Sequence, residues 1–395
     1  MMLAVLVSLV GGWGLLLFAY RQPLRARWRE PVFKQPVLIL ESDDWGAGPL
    51  SQAAALERLR LLLLRHRDGN GQPAVMTLGV VMEIADTQAM ARRPGSYVGM
   101  DLRAPEYAPL RTVMDAGRRD GVFALQLHGQ CHYWPAGLMA AAGRPEVAAW
   151  LYGPPYPRTE DLPSPLQSRW TDASELPSRE IPPAEVSQAV ALETALYQGL
   201  FGQTPQVAVP MTFVWNESVE AAWARAGIRC VVTPGRRCTM READGAPGGI
   251  DRIICNGMRA KGDMVYVVRD CYFEPALGHG AKELAAAALR KWQARRPCLV
   301  EMHRFNFLDE LLMESHLQAL DGALREVSGL LPDARFLATE TLADIIVRRD
   351  AAWVERAFIP RCKAWLMRIR ELTRFRKLCL LTGLALPLAL LERVL

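Results

Sequence analysis

The sequence predicts an α/β fold with parallel strands wound into a sheet or barrel, and three observations predict it. Apolar runs of strand length alternate with longer helix-like stretches, the rhythm of βα units. Three of those runs end in acidic or histidine side chains, where parallel α/β folds build their sites. The chain of 395 residues, 50% of them hydrophobic, suffices for one large core.

Taken in order, Leu3 to Tyr20 is an uncharged apolar run, about 27 Å long as a helix, close to the thickness of a bilayer's hydrocarbon core. It reads as a membrane anchor. A cleaved signal would show a basic start and a small-x-small site, and Met1-Met2-Leu3-Ala4 and Leu17-Phe18-Ala19-Tyr20 offer neither. Pro36 to Leu40 is a buried-strand pattern leading into Glu41-Ser42-Asp43-Asp44-Trp45-Gly46. A helix is expected over Leu50 to Leu64. The run Val122 to Leu127 leads into His128-Gly129-Gln130-Cys131-His132. Residues 153–183, rich in proline, serine and charge, form a loop long enough to be a lid or disordered. Helices over Pro183 to Phe201, Ala281 to Ala294 and Leu311 to Leu330 alternate with strands at Met264 to Val268 and Cys298 to Met302. The last strand delivers Glu301 and His303 on one face, because strand side chains alternate.

These residue types suit metal-assisted hydrolysis. Two histidines four residues apart can face one ion if the residues between them make a turn, and a carboxylate from another strand completes a three-ligand site with a place left for water. Such an ion makes a water nucleophilic near neutral pH. Attack still needs a base, and an amine leaving group needs an acid. The second aspartate and His303 supply those roles.

The three segments resemble the motifs of the NodB-type polysaccharide deacetylases of carbohydrate esterase family 4. Glu41 to Gly46 is similar to Thr-Phe-Asp-Asp-Gly with a tryptophan inserted, His128 to His132 to His-Ser-x-x-His, and Glu301-Met302-His303 to Leu-x-His. The resemblance implies a distorted (β/α) barrel over residues 33–350. It casts Asp43 as base, Asp44, His128 and His132 as metal ligands, His303 as acid, and an acylated amino sugar as substrate. The metal it implies is divalent, zinc foremost, with cobalt or nickel as alternatives.

The family's Arg-Pro-Pro-Tyr motif is represented only by Val209-Pro210-Met211-Thr212-Phe213, which lacks the arginine. Arg269, in Arg269-Asp270-Cys271-Tyr272-Phe273-Glu274, is the candidate replacement, and Trp45, Glu274, Glu301 and Asn306 are candidate substrate-binding or supporting residues. His66 and His316 read as surface residues and His279 as part of a turn. Cys131, between the proposed ligands, is a rival soft ligand to Asp44.

Residues 21–34 carry five Lys/Arg against one Glu, and residues 361–377 seven against one, although the whole chain is only +5. Positive charge gathered beside the hydrophobic ends points to lipid headgroups and away from nucleic acid. Trp365 to Phe375 reads as a basic amphipathic helix lying on lipid, and Leu378 to Leu391 as an interfacial or re-entrant segment. The expected organisation is a membrane anchor with its basic flank (1–32), the catalytic domain (33–350) and a membrane-associated tail (351–395). Since both basic flanks lie on the domain's side of their hydrophobic segments, the domain is expected to face the cytoplasm. Scattered cysteines without a CxxC pair agree with a reducing compartment. The substrate is then a polysaccharide or a lipid-linked saccharide. Two rival readings are a metal-independent glycosidase, pairing Asp43 or Asp44 with Glu274 or Glu301, and a non-catalytic member of a polysaccharide synthesis or export complex.

Overall fold

The computed structural model describes the backbone from Met2 and side chains from Leu9 to Leu395. Helices α1 (Met2–Ala19) and α2 (Arg21–Arg29) precede the first strand. Apart from three short antiparallel pairs in the loops, the strands that follow are β1 (Val37–Gly46), β2 (Met76–Val81), β3 (Phe123–Leu127), β4 (Val207–Ala208), β5 (Cys230–Thr233), β6 (Val265–Val268), β7 (Cys271–Tyr272), β8 (Cys298–His303) and β9 (Arg335–Phe336). Between and after them run helices α3 (Gln52–Leu63), α4 (Ala108–Arg119), α5 (Pro183–Phe201), α6 (Glu217–Arg225), α7 (Ala281–Gln293), α8 (Met313–Leu330), α9 (Thr339–Arg348), α10 (Phe358–Ile369), α11 (Thr373–Leu381) and α12 (Ala385–Val394).

The strands form one parallel sheet in the order β6-β5-β4-β3-β2-β1-β8-β7, with β9 added beside the start of β1. Its two edges, β6 and β7, are consecutive in the chain, separated only by Arg269 and Asp270. The sheet therefore comes round to within two residues of itself without hydrogen-bonding shut. This is a barrel with one unpaired seam, and Arg269 sits in the seam.

Alternation along the strands sorts two apolar layers. Val37 and Ile39 of β1 and Leu299 of β8 pack inward with Val209, Val232 and Val267, and α9 closes that layer with Leu342 and Ile346. Leu38, Leu40, Cys298 and Val300 face the helices in the larger outer layer. Each fully buried aliphatic side chain contributes about 1.5–3 kcal/mol, so a slip of one residue in β1 would invert every one of these placements.

The loop 153–183 is ordered. Leu162, Leu166, Trp170 and Ile181 are buried in the outer core, so the expected lid is a fixed wall. The helix expected to lie on lipid also packs inward. On α10, Leu366 and Ile369 are buried with Leu24 of α2, and Arg368 donates to the carbonyls of Ala294, Glu30 and Pro31. Its apolar stripe has a protein partner in α2. Among the fully described residues no helix is long and apolar enough to cross a membrane, and the first part of the expected anchor lies outside them.

Candidate active site

Strand alternation places Glu41 and Asp43 of β1, and Glu301 and His303 of β8, inside the barrel. By the same rule Asp44 would point outward. It does not, because pairing with β2 shifts register between Ser42 and Trp45 and Asp44 takes a φ of 72°. Aspartate tolerates that left-handed conformation better than most residues, and a bulge of this kind re-aims a side chain beside a site. Gly79 of β2 makes room, since a Cβ there would lie 2.2 Å from Asp43 Oδ1.

The re-aimed carboxylate meets both histidines that follow β3. Asp44 Oδ1 is 3.2 Å from His128 Nε2 and 3.1 Å from His132 Nε2, and one donor atom from each of the three lies within 4.8 Å of the others. His128 Nδ1 lies 3.0 Å from the Val209 carbonyl; donating a proton there leaves Nε2 with its lone pair toward Asp44. Asp44 Oδ1 is nevertheless buried with no hydrogen-bond donor, as is Asp43 Oδ1, and His132 Nδ1 is buried without a partner. A carboxylate oxygen facing two imidazole nitrogens, starved of donors, fits a divalent cation with N, N, O ligands. Cys131 is turned away: its Sγ accepts from Arg169 at 3.1 Å, and burial pushes its thiol up to about 12.

Beside this cluster Arg269 spans three carboxylates from the seam. Its Nη2 donates to Asp43 Oδ2 at 2.6 Å, Nη1 to Glu41 Oε2 at 2.8 Å and Nε to Glu301 Oε2 at 3.2 Å, with the Phe213 ring 5.4 Å from the guanidinium. Burial raises the Asp43 carboxyl, yet Arg269 and His128 hold it net below its ordinary value. Burial dominates for Glu41 and Glu301, which are both raised. Thr339 at the start of α9 donates to Glu41, so the helix that closes the inner core also ends this network.

His303 has a separate support. Its Nδ1 is 2.6 Å from Glu274 Oε1, and Asn306 Nδ2 donates to Glu274 Oε2 and, at 2.8 Å, to the His303 carbonyl. Burial pulls the imidazole down, but the Glu274 hydrogen bond and the charges of Asp44 and Asp43 push it up to about 10. At neutral pH the ring is an imidazolium. Its side chain is 27% exposed, against 7% or less for those of Asp43, Asp44, His128 and His132, so the histidine meets solvent at the mouth. Asp43 and Glu301 share one guanidinium, Asp44 faces the histidines and Glu274 is engaged by His303. No two of these carboxylates stand free across a cleft as a glycosidase pair requires.

Solved structures similar to this chain include a family 4 carbohydrate esterase from Streptomyces lividans in complex with acetate (11% identical, TM-score 0.36, covering 78% of this chain and 95% of that one). A family 4 acetyl xylan esterase from Clostridium thermocellum in complex with a cobalt ion is also 11% identical (TM-score 0.37, covering 78% and 91%). The peptidoglycan deacetylase PdaC from Bacillus subtilis is 10% identical (TM-score 0.37, covering 81% and 95%). Likenesses this slight assign no activity, which rests on the site itself. No family model and no curated protein matches the chain.

The remaining candidates fall elsewhere. Trp45 is fully buried, donates to Ser42 Oγ at 2.8 Å and stacks on Phe307, so it braces the bulge and does not face a substrate. His66 and His316 are buried, not surface residues. His66, in the turn after α3, has Nε2 2.8 Å from Asp321 Oδ1, and His316, on the inward face of α8, has Nδ1 2.6 Å from the Asn306 carbonyl. His279 Nδ1 accepts from the Glu274 backbone N–H at 3.0 Å, behind the His303 support.

Sequence reasoning missed Arg304 and Arg169. Arg304, fully buried, donates to both oxygens of Glu160 at 3.0 and 2.9 Å, tying the 153–183 segment over the β1 turn. Arg169 from the same segment reaches Gln130, Cys131 and Tyr133, the loop that carries the ligands. Proximity of Arg304 to His303 in sequence was the one available signal.

Proposed function

We propose that the chain is a metal-dependent hydrolase that removes an N-acyl group, acetyl first of all, from an amino sugar. The observation that carries the reading is the buried Asp44 Oδ1, faced by two imidazole nitrogens and lacking any hydrogen-bond donor. A divalent ion held by Asp44, His128 and His132, zinc before cobalt or nickel, would polarise the acyl carbonyl and bring the pKa of a water to about 7.

The chain's own residues do the proton work. Asp43, kept ionised and aimed by Arg269, accepts the proton of the attacking water. His303, kept protonated by Glu274, donates from Nε2 to the amine as the C–N bond breaks, so water is consumed and a carboxylate and an amino sugar leave. Two groups whose surroundings drive their pKa values apart are the usual mark of an acid and base pair. Arg269 gives Asp43 the guanidinium that Val209 to Phe213 do not supply, which favours this reading over a non-catalytic one.

The substrate is a polysaccharide or a lipid-linked saccharide carrying the acyl amino sugar. Acetate release from detergent-purified protein, with and without chelator, tests the reading against free and lipid-linked N-acetyl sugars. Release abolished by chelator and restored by added zinc is expected. Release that ignores the chelator, or none on any acyl sugar with metal loaded, contradicts it.

A further inference from the structure

Helices α11 and α12 form a hairpin turned at Thr382–Leu384, where Gly383 has a φ of 74°. Its inner face is satisfied, with Phe375, Cys379 and Leu384 buried against Leu366, Ile369 and Leu24. Its outer face is not. Leu380, Leu386, Leu390 and Val394 are exposed, and Leu381 is 76% exposed. Patches of this kind mark interaction sites in soluble proteins.

The hairpin is also sorted along its axis. Arg374, Arg376 and Lys377 occupy the first half of α11, exposed and with no carboxylate partner among the described residues, and the leucines occupy the second half. Helix α1 runs antiparallel alongside. The Tyr20 ring lies 5.1 Å from that of Phe375, next to Arg21, and Trp13 Nε1 donates to the Thr382 carbonyl at 2.8 Å. Trp13 to Tyr20 and Phe375 to Thr382 are each seven residue steps, about 10 Å at ~1.5 Å per residue. Arg21, Tyr20, Phe375 and the basic side chains of α11 thus share one level, and Trp13 and the hairpin's leucines lie about 10 Å away.

We propose that the α11–α12 hairpin is a wedge that enters one leaflet of an anionic bilayer beside α1, with Arg374, Arg376 and Lys377 at the headgroups and Thr382–Leu384 at its tip. Helices of nine and ten residues cannot span, but the depth matches the roughly 5–10 Å to which interfacial helices bury their apolar face. A layered order of cation, aromatic ring and leucine fits headgroup, interface and hydrocarbon. A second copy or a folded partner would not demand that layering. An apolar groove of about 270 Å³ between α10, α11 and α12, lined by Phe375, Cys379, Leu380 and Leu388, would take a leaflet's acyl chain. The proposal is independent of the hydrolase reading.

The test uses the full chain with its half-exposed thiol removed (Cys362→Ser) and one new cysteine, Leu381→Cys, Leu386→Cys or Arg376→Cys, carrying an environment-sensitive fluorophore. It is reconstituted in vesicles of phosphatidylcholine with phosphatidylglycerol. Labels at 381 and 386 are expected to be quenched by nitroxide on lipid chains and not by aqueous iodide, with the reverse at 376. Quenching of 381 and 386 by iodide places the hairpin in water and overturns the proposal. Shielding from both quenchers means protein covers the face and overturns it equally. Neutralising Arg374, Arg376 and Lys377 together to glutamine should weaken insertion on the order of 100-fold, from about fivefold per basic residue at an anionic surface, with hydrolysis of a soluble substrate unchanged. Insertion unaffected by that change would contradict the anionic leaflet.

Discussion

At the scale of residues, two supports distinguish base from acid. Arg269 holds Asp43 ionised, and Glu274 holds His303 protonated. Replacing His303 with alanine should leave the metal in place and lower the rate roughly 10²- to 10⁴-fold, the usual worth of a general acid. Glu274→Gln is the finer probe. Burial lowers the His303 pKa, and the Glu274 hydrogen bond is the largest of the effects that raise it, so its loss should bring the imidazole down. The rate falls when His303 deprotonates, and its alkaline limb should therefore move to lower pH. A limb that stays in place in Glu274→Gln, or vanishing metal in His303→Ala, would show that His303 is not the acid.

At the scale of elements, the 153–183 segment is a wall that fixes the ligand loop, because Arg169 ties Gln130, Cys131 and Tyr133 together between and just beyond the two histidines. Arg169→Met should weaken metal affinity about 10- to 100-fold, the typical cost of losing a support behind the ligands. Metal affinity equal to the parent's by competition titration would reduce Arg169 to a packing role. Much of this level was legible in the sequence. The helix from Pro183 to Phe201 has the expected bounds, and Glu301 and His303 share a face because strand periodicity is a local property. Arg269 was legible as the candidate replacement for the missing arginine, and the seam between consecutive strands is what brings it to Asp43. Two things were not legible. The bulge that re-aims Asp44 depends on pairing with β2, a strand the apolar pattern did not single out. The basic face of α10 concealed Arg368, whose charge is spent on buried carbonyls and not on water or lipid. Each outcome turns on a tertiary partner, which local pattern does not specify.

At the scale of the whole molecule, Glu30 joins the terminal helices to the barrel. It accepts from Arg296 Nε at 2.8 Å and Nη2 at 3.0 Å, and from Asn256 at 3.1 Å, while Arg368 bonds its backbone carbonyl. Burial raises its carboxyl, but Arg368 and Arg296 bring it down to about 2 from an ordinary 4.5. A depressed carboxylate stabilises the fold above its unfolded pKa and loses that contribution as pH falls through its folded value. About 3 kcal/mol should therefore be lost between roughly pH 4.5 and pH 2. Glu30→Gln should flatten the stability profile in that window while costing about 3–5 kcal/mol at neutral pH, since two buried arginines lose their partner. Parallel denaturation profiles for the two proteins would rule this out. The central claim is that Asp44, His128 and His132 hold the ion on which hydrolysis depends. Elemental analysis of the purified protein and of His132→Ala tests it most directly. One divalent ion per chain in the parent and none in the variant, with acetate release lost alongside, is the predicted result; full metal occupancy in His132→Ala would contradict it.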